Sequence, residues 1–180
     1  KNNDKFEDSV KFYTKIIQSI EKDHPLYSEV TDGRGVAYER LGEWDKAEKD
    51  LLASLEANPE QAYVINYLAY SWIEQGVNIE RSLQMLEKAN KLKSNDPYII
   101  DSIGWAYYLT GNYIRAEKLL KRAVEIMPTD PIVNDHYGDI LWKLGRKIEA
   151  GYFWKNVLTF DDTENDMKET INNKILNGLI

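Results

Sequence analysis

The sequence predicts an all-α fold, a stack of helical hairpins forming an α-solenoid, and three observations carry that expectation. Glycines recur at a fixed interval: Gly42, Gly76, Gly111 and Gly145 stand 34, 35 and 34 residues apart. Seven positions upstream, a second series of small residues, Gly35, Ala69, Gly104 and Gly138, keeps the same 34, 35 and 34 spacing. Apolar residues between these marks follow a helical period, as in Ala47, Leu51, Leu55 and in Ala116, Leu120, Ala123. Self-similarity at this period marks a chain built from one supersecondary unit used several times.

The elements follow in chain order. Residues 1–27 hold one helix and a connection: in FEDSVKFYTKII, Phe6, Ser9 and Tyr13 have the spacing of Trp44, Ala47 and Leu51 from a second helix. Its first-helix companion is missing, so the chain is expected to begin mid-repeat and the natural protein to extend N-terminally. Four full repeats then span 28–61, 62–96, 97–130 and 131–162. Each reads as two helices, the glycine between them suiting a left-handed cap that residues with a Cβ resist. A short turn then sets the two helices antiparallel. One extra residue in the GVNIERS turn accounts for the single 35. The mid-helix glycines Gly35, Gly104 and Gly138 each cost about 1 kcal/mol of helix propensity relative to alanine. A cost repeated at one position implies a neighbouring helix too close for a larger side chain. Residues 163–180 carry Met167, Ile171 and Ile175 at i, i+4 and i+8, an amphipathic helix suited to cap the last repeat. A partner-binding helix is the alternative for that segment.

Composition narrows the function. Thirty acidic against 23 basic side chains give a net charge of -7, the opposite of a nucleic-acid surface that neutralises phosphates. Cysteine is absent, which removes disulfides, thiolate nucleophiles and Cys-based zinc sites. No apolar run is long enough to span a membrane, and KNNDKFEDSV lacks a signal-peptide core. Phosphate-binding glycine loops, H-E-x-x-H and G-x-S-x-G are not found, so no catalytic residue and no cofactor is expected.

With these landmarks the chain resembles the tetratricopeptide-repeat family, whose pattern is W-x2-L-G-x2-Y, then A-x3-F, then P. The third repeat matches best, with Ile100, Ile103, Gly104, Tyr107, Ala116, Leu120 and Pro128. The first has Gly35, Tyr38, Ala47, Leu51 and Pro59, and the second Ala69, Trp72, Ser82, Leu86 and Ser94. In the fourth, Gly138, Leu141, Ala150, Trp154 and Asp162 hold the corresponding places. The resemblance implies a right-handed superhelix whose first helices line a concave groove for a peptide or partner protein. The run from GVNIERS to GRKIEA is also similar to the C-terminal repeats of large bacterial members of the family. Some of those are secreted or outer-membrane lipoproteins, including adaptors for a carboxyl-terminal processing protease. The resemblance therefore implies a bacterial scaffold, periplasmic or outer-membrane-attached, with the cytoplasm left open.

Register assigns the groove. Its candidate residues are Asp32 and Arg40 with Glu29 and Val36, then Tyr63, Asn66, Tyr67 and Tyr70. The third and fourth repeats add Tyr98, Asp101, Trp105 and Tyr108, then Asp135, Asp139 and Trp142 with Ile132 and Lys143. Aromatic side chains supply rigid contact area with a polar tip. Carboxylates accept from backbone N–H groups or pair with Lys and Arg, so a neutral, apolar or basic partner segment is expected. Some of these aromatics are expected to pack between repeats instead, Trp44, Trp72 and Trp154 first among the chain's five tryptophans.

One stretch, NDHYGD, invites a chemical reading, since His136 and Asp139 stand at i, i+3 and Asp135 and Asp139 at i, i+4. A single histidine makes a poor metal set, and no metal site is expected. Asp135 aligns with Asp101, Asn66 and Asp32, a column attributed to first-turn helix-dipole stabilisation. His24 reads as a solvated loop residue. The expected function is a non-catalytic protein-interaction scaffold. The alternatives are a regulatory segment of a larger enzyme-containing chain, or a self-association module forming a homodimer through its terminal helices.

Overall fold

The computed structural model of the chain describes residues 2–179. Among them are ten α-helices and no strand. They are α1 (Asn2–Ser19), α2 (Tyr27–Arg40), α3 (Trp44–Ala57), α4 (Ala62–Glu74), α5 (Ile79–Leu92), α6 (Pro97–Leu109), α7 (Tyr113–Ile126), α8 (Pro131–Lys143), α9 (Lys147–Val157) and α10 (Asn165–Asn177). No helix is long and apolar enough to cross a membrane among the described residues. The chain divides into two compact units, Lys1–Leu68 and Ala69–Ile180.

In the first unit α1 packs on α2, and α2 on α3. Gly33 lets the Tyr13 ring of α1 lie against α2, since a Cβ there would fall 2.6 Å from its Cζ. Arg34 ties the three helices together. Its Nε and Nη2 donate to the two Asp50 oxygens at 2.6 and 2.8 Å, and Nη1 to Thr14 Oγ1 at 3.2 Å. The buried Ser54 hydroxyl donates to the Ser28 carbonyl at 2.8 Å, a second tie between α2 and α3.

In the second unit α6 pairs with α7 and α8 with α9, while α7 meets α8 and α10 lies on α9. One core runs through α6 to α10, built from Ile100, Leu120, Val133, Ile140, Leu141, Trp154 and Ile171 among others. The α10 stripe therefore does bury an apolar face, with Ile171 fully enclosed.

Each turn within a repeat is made the same way. Gly42, Gly76, Gly111 and Gly145 have φ of +75°, +69°, +78° and +80°, a region that excludes most side chains. Paired bonds close the helix ends: Gly111 N–H donates to Tyr108 O at 3.0 Å and Asn112 N–H to Tyr107 O at 2.8 Å. The longer second turn is absorbed by Asn78, which takes a left-handed φ of 50° at the start of α5. Asparagine tolerates that region better than other non-glycine residues.

The mid-helix small residues are the contact points expected of them. A Cβ on Gly104 would lie 2.8 Å from Leu120 Cγ, and one on Gly138 2.5 Å from the Trp154 indole. Gly35 meets Leu51 Cγ at 3.1 Å and the Ala47 carbonyl at 3.2 Å. Opposite them Ala47, Ser82, Ala116 and Ala150 are completely buried. Trp72 and Trp154 are core residues, whereas Trp44 is only half-buried.

These contacts reverse an ordinary expectation. Gly138→Ala gains about 1 kcal/mol of helix propensity but drives a methyl into an enclosed indole, and overpacking of this kind costs about 1–3 kcal/mol. Gly151, on α9, has open space around it. Urea unfolding should show Gly138→Ala less stable than the parent chain and Gly151→Ala more stable, by up to about 1 kcal/mol. Equal and positive effects would refute the close approach.

Candidate functional site

The first helices begin earlier than the aspartate column requires. Helices α6 and α8 start at Pro97 and Pro131, and the caps are the residues before them. Asp96 Oδ1 accepts from the amides of Tyr98 and Ile99 at 3.1 and 3.2 Å, and Asp130 Oδ1 from Val133 at 3.0 Å. This is the usual work of an N-cap aspartate with proline at the first helical position. Asp101 and Asp135 are thus fifth in their helices, beyond the free amides of the first turn, and the first-turn dipole account of the column is wrong. Their partners lie on other helices.

Asp101 Oδ2 is 2.8 Å from His136 Nδ1, and both side chains are buried. The Trp105 indole lies nearly parallel to His136 at 4.1 Å and to Tyr108 at 4.6 Å, with interplanar angles of 11° and 10°. Its Nε1 donates to Glu74 Oε1 on α4 at 2.6 Å. Farther along, Lys174 of α10 places its ammonium between Asp135 and Asp139, bonding all four carboxylate oxygens at 2.7–2.9 Å. Asp139 Oδ1 also accepts from Trp154 Nε1 at 3.0 Å. Trp142 is half-buried, tilted against Trp154 at 5.4 Å and lying under Gly178, with Lys147 above its ring at 4.7 Å. Gly178 has φ +75° and ψ −169°, a conformation almost confined to glycine, which brings the backbone onto that indole.

The predicted residues therefore separate. Tyr70, Asp101, Trp105, Tyr108, Asp135 and Asp139 gather on one face of the second unit. Asp101 and Asp139 are buried there and the rest half-buried, while Tyr98 stands exposed at the edge with Ile132 and Lys143. In the first unit Tyr67 donates to Glu39 Oε2 at 2.8 Å, Asp32, Val36 and Asn66 are half-buried, and Arg40, Glu29 and Tyr63 are exposed. His24 is an exposed loop residue whose Nδ1 accepts from the Leu26 amide at 3.1 Å. Sequence reasoning missed Glu39, Glu74 and Lys174. Lys174 carried a signal: it stands at i+3 from the buried Ile171, inside the apolar stripe of α10.

Burial shifts the charges. Burial alone would lower the His136 pKa, but Asp101, helped by Asp135 and Asp139, more than offsets this and raises it above the usual 6.5. Asp139 is pushed up to about 6 by burial and by Asp135, against the pull of Lys174 and Trp154. In the first unit burial, with Glu29, also pushes Asp32 up to about 6. Burial first, then Glu74, Asp101 and Asp135, raise the Tyr70 phenol. A polar ladder of this kind offers oriented carboxylates and flat aromatic rings.

A profile of the tetratricopeptide repeat matches residues 98–127. These helical pairs are tetratricopeptide repeats. Over 125 residues the chain is 30% identical to the TPR repeat-containing protein PA4667 of Pseudomonas aeruginosa strain PAO1. That alignment covers 69% of this chain and 21% of the relative, so the chain spans about a fifth of its length. Among solved structures, a tetratricopeptide repeat protein from Parabacteroides merdae superposes with a TM-score of 0.78 at 20% identity, covering 97% of this chain and 66% of that one. A thermophilic TPR protein of Thermus thermophilus gives 0.75 at 16% identity, over 95% and 91% of the two chains. Tetratricopeptide-repeat proteins are in general non-catalytic scaffolds for protein–protein interaction.

Two measurements probe the ladder. Lys174→Gln leaves Asp135 and Asp139 facing each other without a cation, and breaking a buried pair in this way costs about 3 kcal/mol. Urea unfolding should show that loss, with hydrogen exchange fastest in α10. The second concerns pH. His136 has a raised folded pKa, so its stabilising contribution is full below 6.5 and is lost as pH rises through the folded value. The contributions of Asp139 and Asp32 have the same sign and are lost between about 4 and about 6. Thermal midpoints should therefore fall as pH rises above about 6.5, and fall less in His136→Gln.

Proposed function

We propose that the second unit captures a partner protein by an extended or helical segment laid across the first-helix face of α4, α6 and α8. The observation that carries this reading is the Trp105 stack, a half-buried indole held in place by Glu74 and His136 and backed by Tyr108. Aromatic rings fixed before binding lose little entropy on contact, and such residues dominate binding hot spots. The face is also acidic, through Glu74, Asp101, Asp135 and Asp139, in a chain of net charge -7. It suits neutral, apolar or basic segments and repels acidic ones. Trp142 has a different role in this reading, as the seat for Gly178 that holds the end of α10 in place.

The test is affinity capture from lysate of the source organism, read by mass spectrometry, with the parent chain and with Tyr70→Ala/Trp105→Ala. The double variant should lose captured partner by about tenfold or more while circular dichroism stays unchanged. Recovery of the same partner by both chains would remove this face from the function.

A further inference from the structure

The acidic face of the second unit is only partly neutralised by the chain itself. Asp135 and Asp139 share Lys174. Asp101 shares only one oxygen: Oδ2 meets His136, while Oδ1 is buried and receives no hydrogen bond. An unsatisfied buried acceptor costs about 1–3 kcal/mol, and more when it is charged. Tyr70, half-buried on α4, has its ionisation opposed by burial, then by Glu74, which it also hydrogen-bonds, and by Asp101 and Asp135. This corner therefore combines an orphan carboxylate oxygen, a second carboxylate at Glu74 and a flat indole beside it.

The chain contains its own precedent for what fills such a corner. Around Lys174 an indole N–H, from Trp154, fixes one carboxylate, and that carboxylate with its neighbour grips a primary ammonium. In the open corner the Trp105 N–H likewise fixes the Glu74 carboxylate, but no ammonium of the chain is bonded to Glu74 or to Asp101 Oδ1 among the described residues. We propose that this corner binds the side chain of a lysine or arginine carried by the partner segment. Asp101 and Glu74 are its carboxylates, and its alkyl stem lies against the rim of the Trp105 indole, whose ring is already stacked with His136 and Tyr108. The inference rests on the capture face described above and names the chemistry that face reads. Asp101 Oδ1 is closed to solvent in the free chain, so entry requires neighbouring side chains to turn aside. The stem then lies along the indole rim as the charged end reaches the oxygen.

The probe is a blocked heptapeptide, Ala-Leu-Ala-Lys-Ala-Leu-Ala, with counterparts bearing Arg, norleucine or Glu at the centre. Binding to the full chain is read by calorimetry and tryptophan fluorescence. Lys and Arg peptides should bind about tenfold more tightly than norleucine, and the Glu peptide most weakly. Raising salt from about 50 to about 500 mM should erase much of the difference. Asp101→Asn should bring the Lys peptide down to the norleucine level. Because that change also alters the environment of His136, Glu74→Gln serves as a second variant: it keeps an acceptor for Trp105, loses the charge, and should weaken only the basic peptides. Equal binding of Lys and norleucine peptides overturns the inference, as does undiminished preference for Lys in both variants, or no binding by any peptide. In those cases the capture face still stands if partner recovery depends on Tyr70 and Trp105, and falls with the inference if it does not.

Discussion

The structure depends on how closely the two helices of a repeat approach. At Gly104 and Gly138 the facing side chain lies where a methyl would have to be, and at Gly35 the facing helix's own carbonyl stands at 3.2 Å from the place of a Cβ. Contact this close needs a small residue on the other helix as well, and Ala47, Ala116 and Ala150 are fully enclosed. It also needs a turn that reverses the chain within a few residues, which the left-handed glycines provide. Helix propensity is sacrificed at the contact and recovered in dispersion contacts along two whole helix faces. Trp154 shows how strictly the site is shaped. It stands where other repeats have Leu51, Leu86 or Leu120, and its larger ring fits because Gly138 leaves the room and Asp139 takes its N–H.

Since the inward faces are consumed by this contact, polar groups collect on the opposite side of the first helices, and there they pair from helix to helix. Asp101 of α6 meets His136 of α8, and Asp135 of α8 meets Lys174 of α10. Buried ion pairs contribute little net stability, because desolvating both charges roughly cancels their attraction. Their effect is positional. An acid meets a base only if the next helix is at the right height, and a shift of one turn would bury both charges unpaired. Arg34 and Asp50 act likewise in the first unit, where the bidentate guanidinium fixes α2 on α3 while reaching Thr14 of α1.

Much of this was legible in the sequence, and the part that was not has a common cause. The glycine turns and the small-residue contacts recur in every repeat, so four copies of the signal reinforce one another. The ladder is different: its pairs join residues 35 and 39 positions apart and use a different base each time. Comparing repeats therefore shows a column of acids but not their partners. Spacing within one helix turn does not reveal the partner of His136, which is near Asp139 in sequence but bonds Asp101. The dipole account of Asp101 and Asp135 failed for a related reason: Asp-Pro at 96–97 and 130–131 supplies each helix start, which leaves both acids fifth in their helices, past the first turn.

The same column shows that a shared register does not give each acid the same partner. Asp32 has the register of Asp101 and Asp135, but the residue in its unit with the register of His136 is Tyr67, whose hydroxyl is given to Glu39. With burial and Glu29 acting on it, Asp32 is pushed up to about 6. Asp101, equally part of the column, is more deeply buried but has a histidine against one oxygen. In the third repeat the base satisfies only half of the acid: Asp101 Oδ2 meets His136, and Oδ1 receives no hydrogen bond.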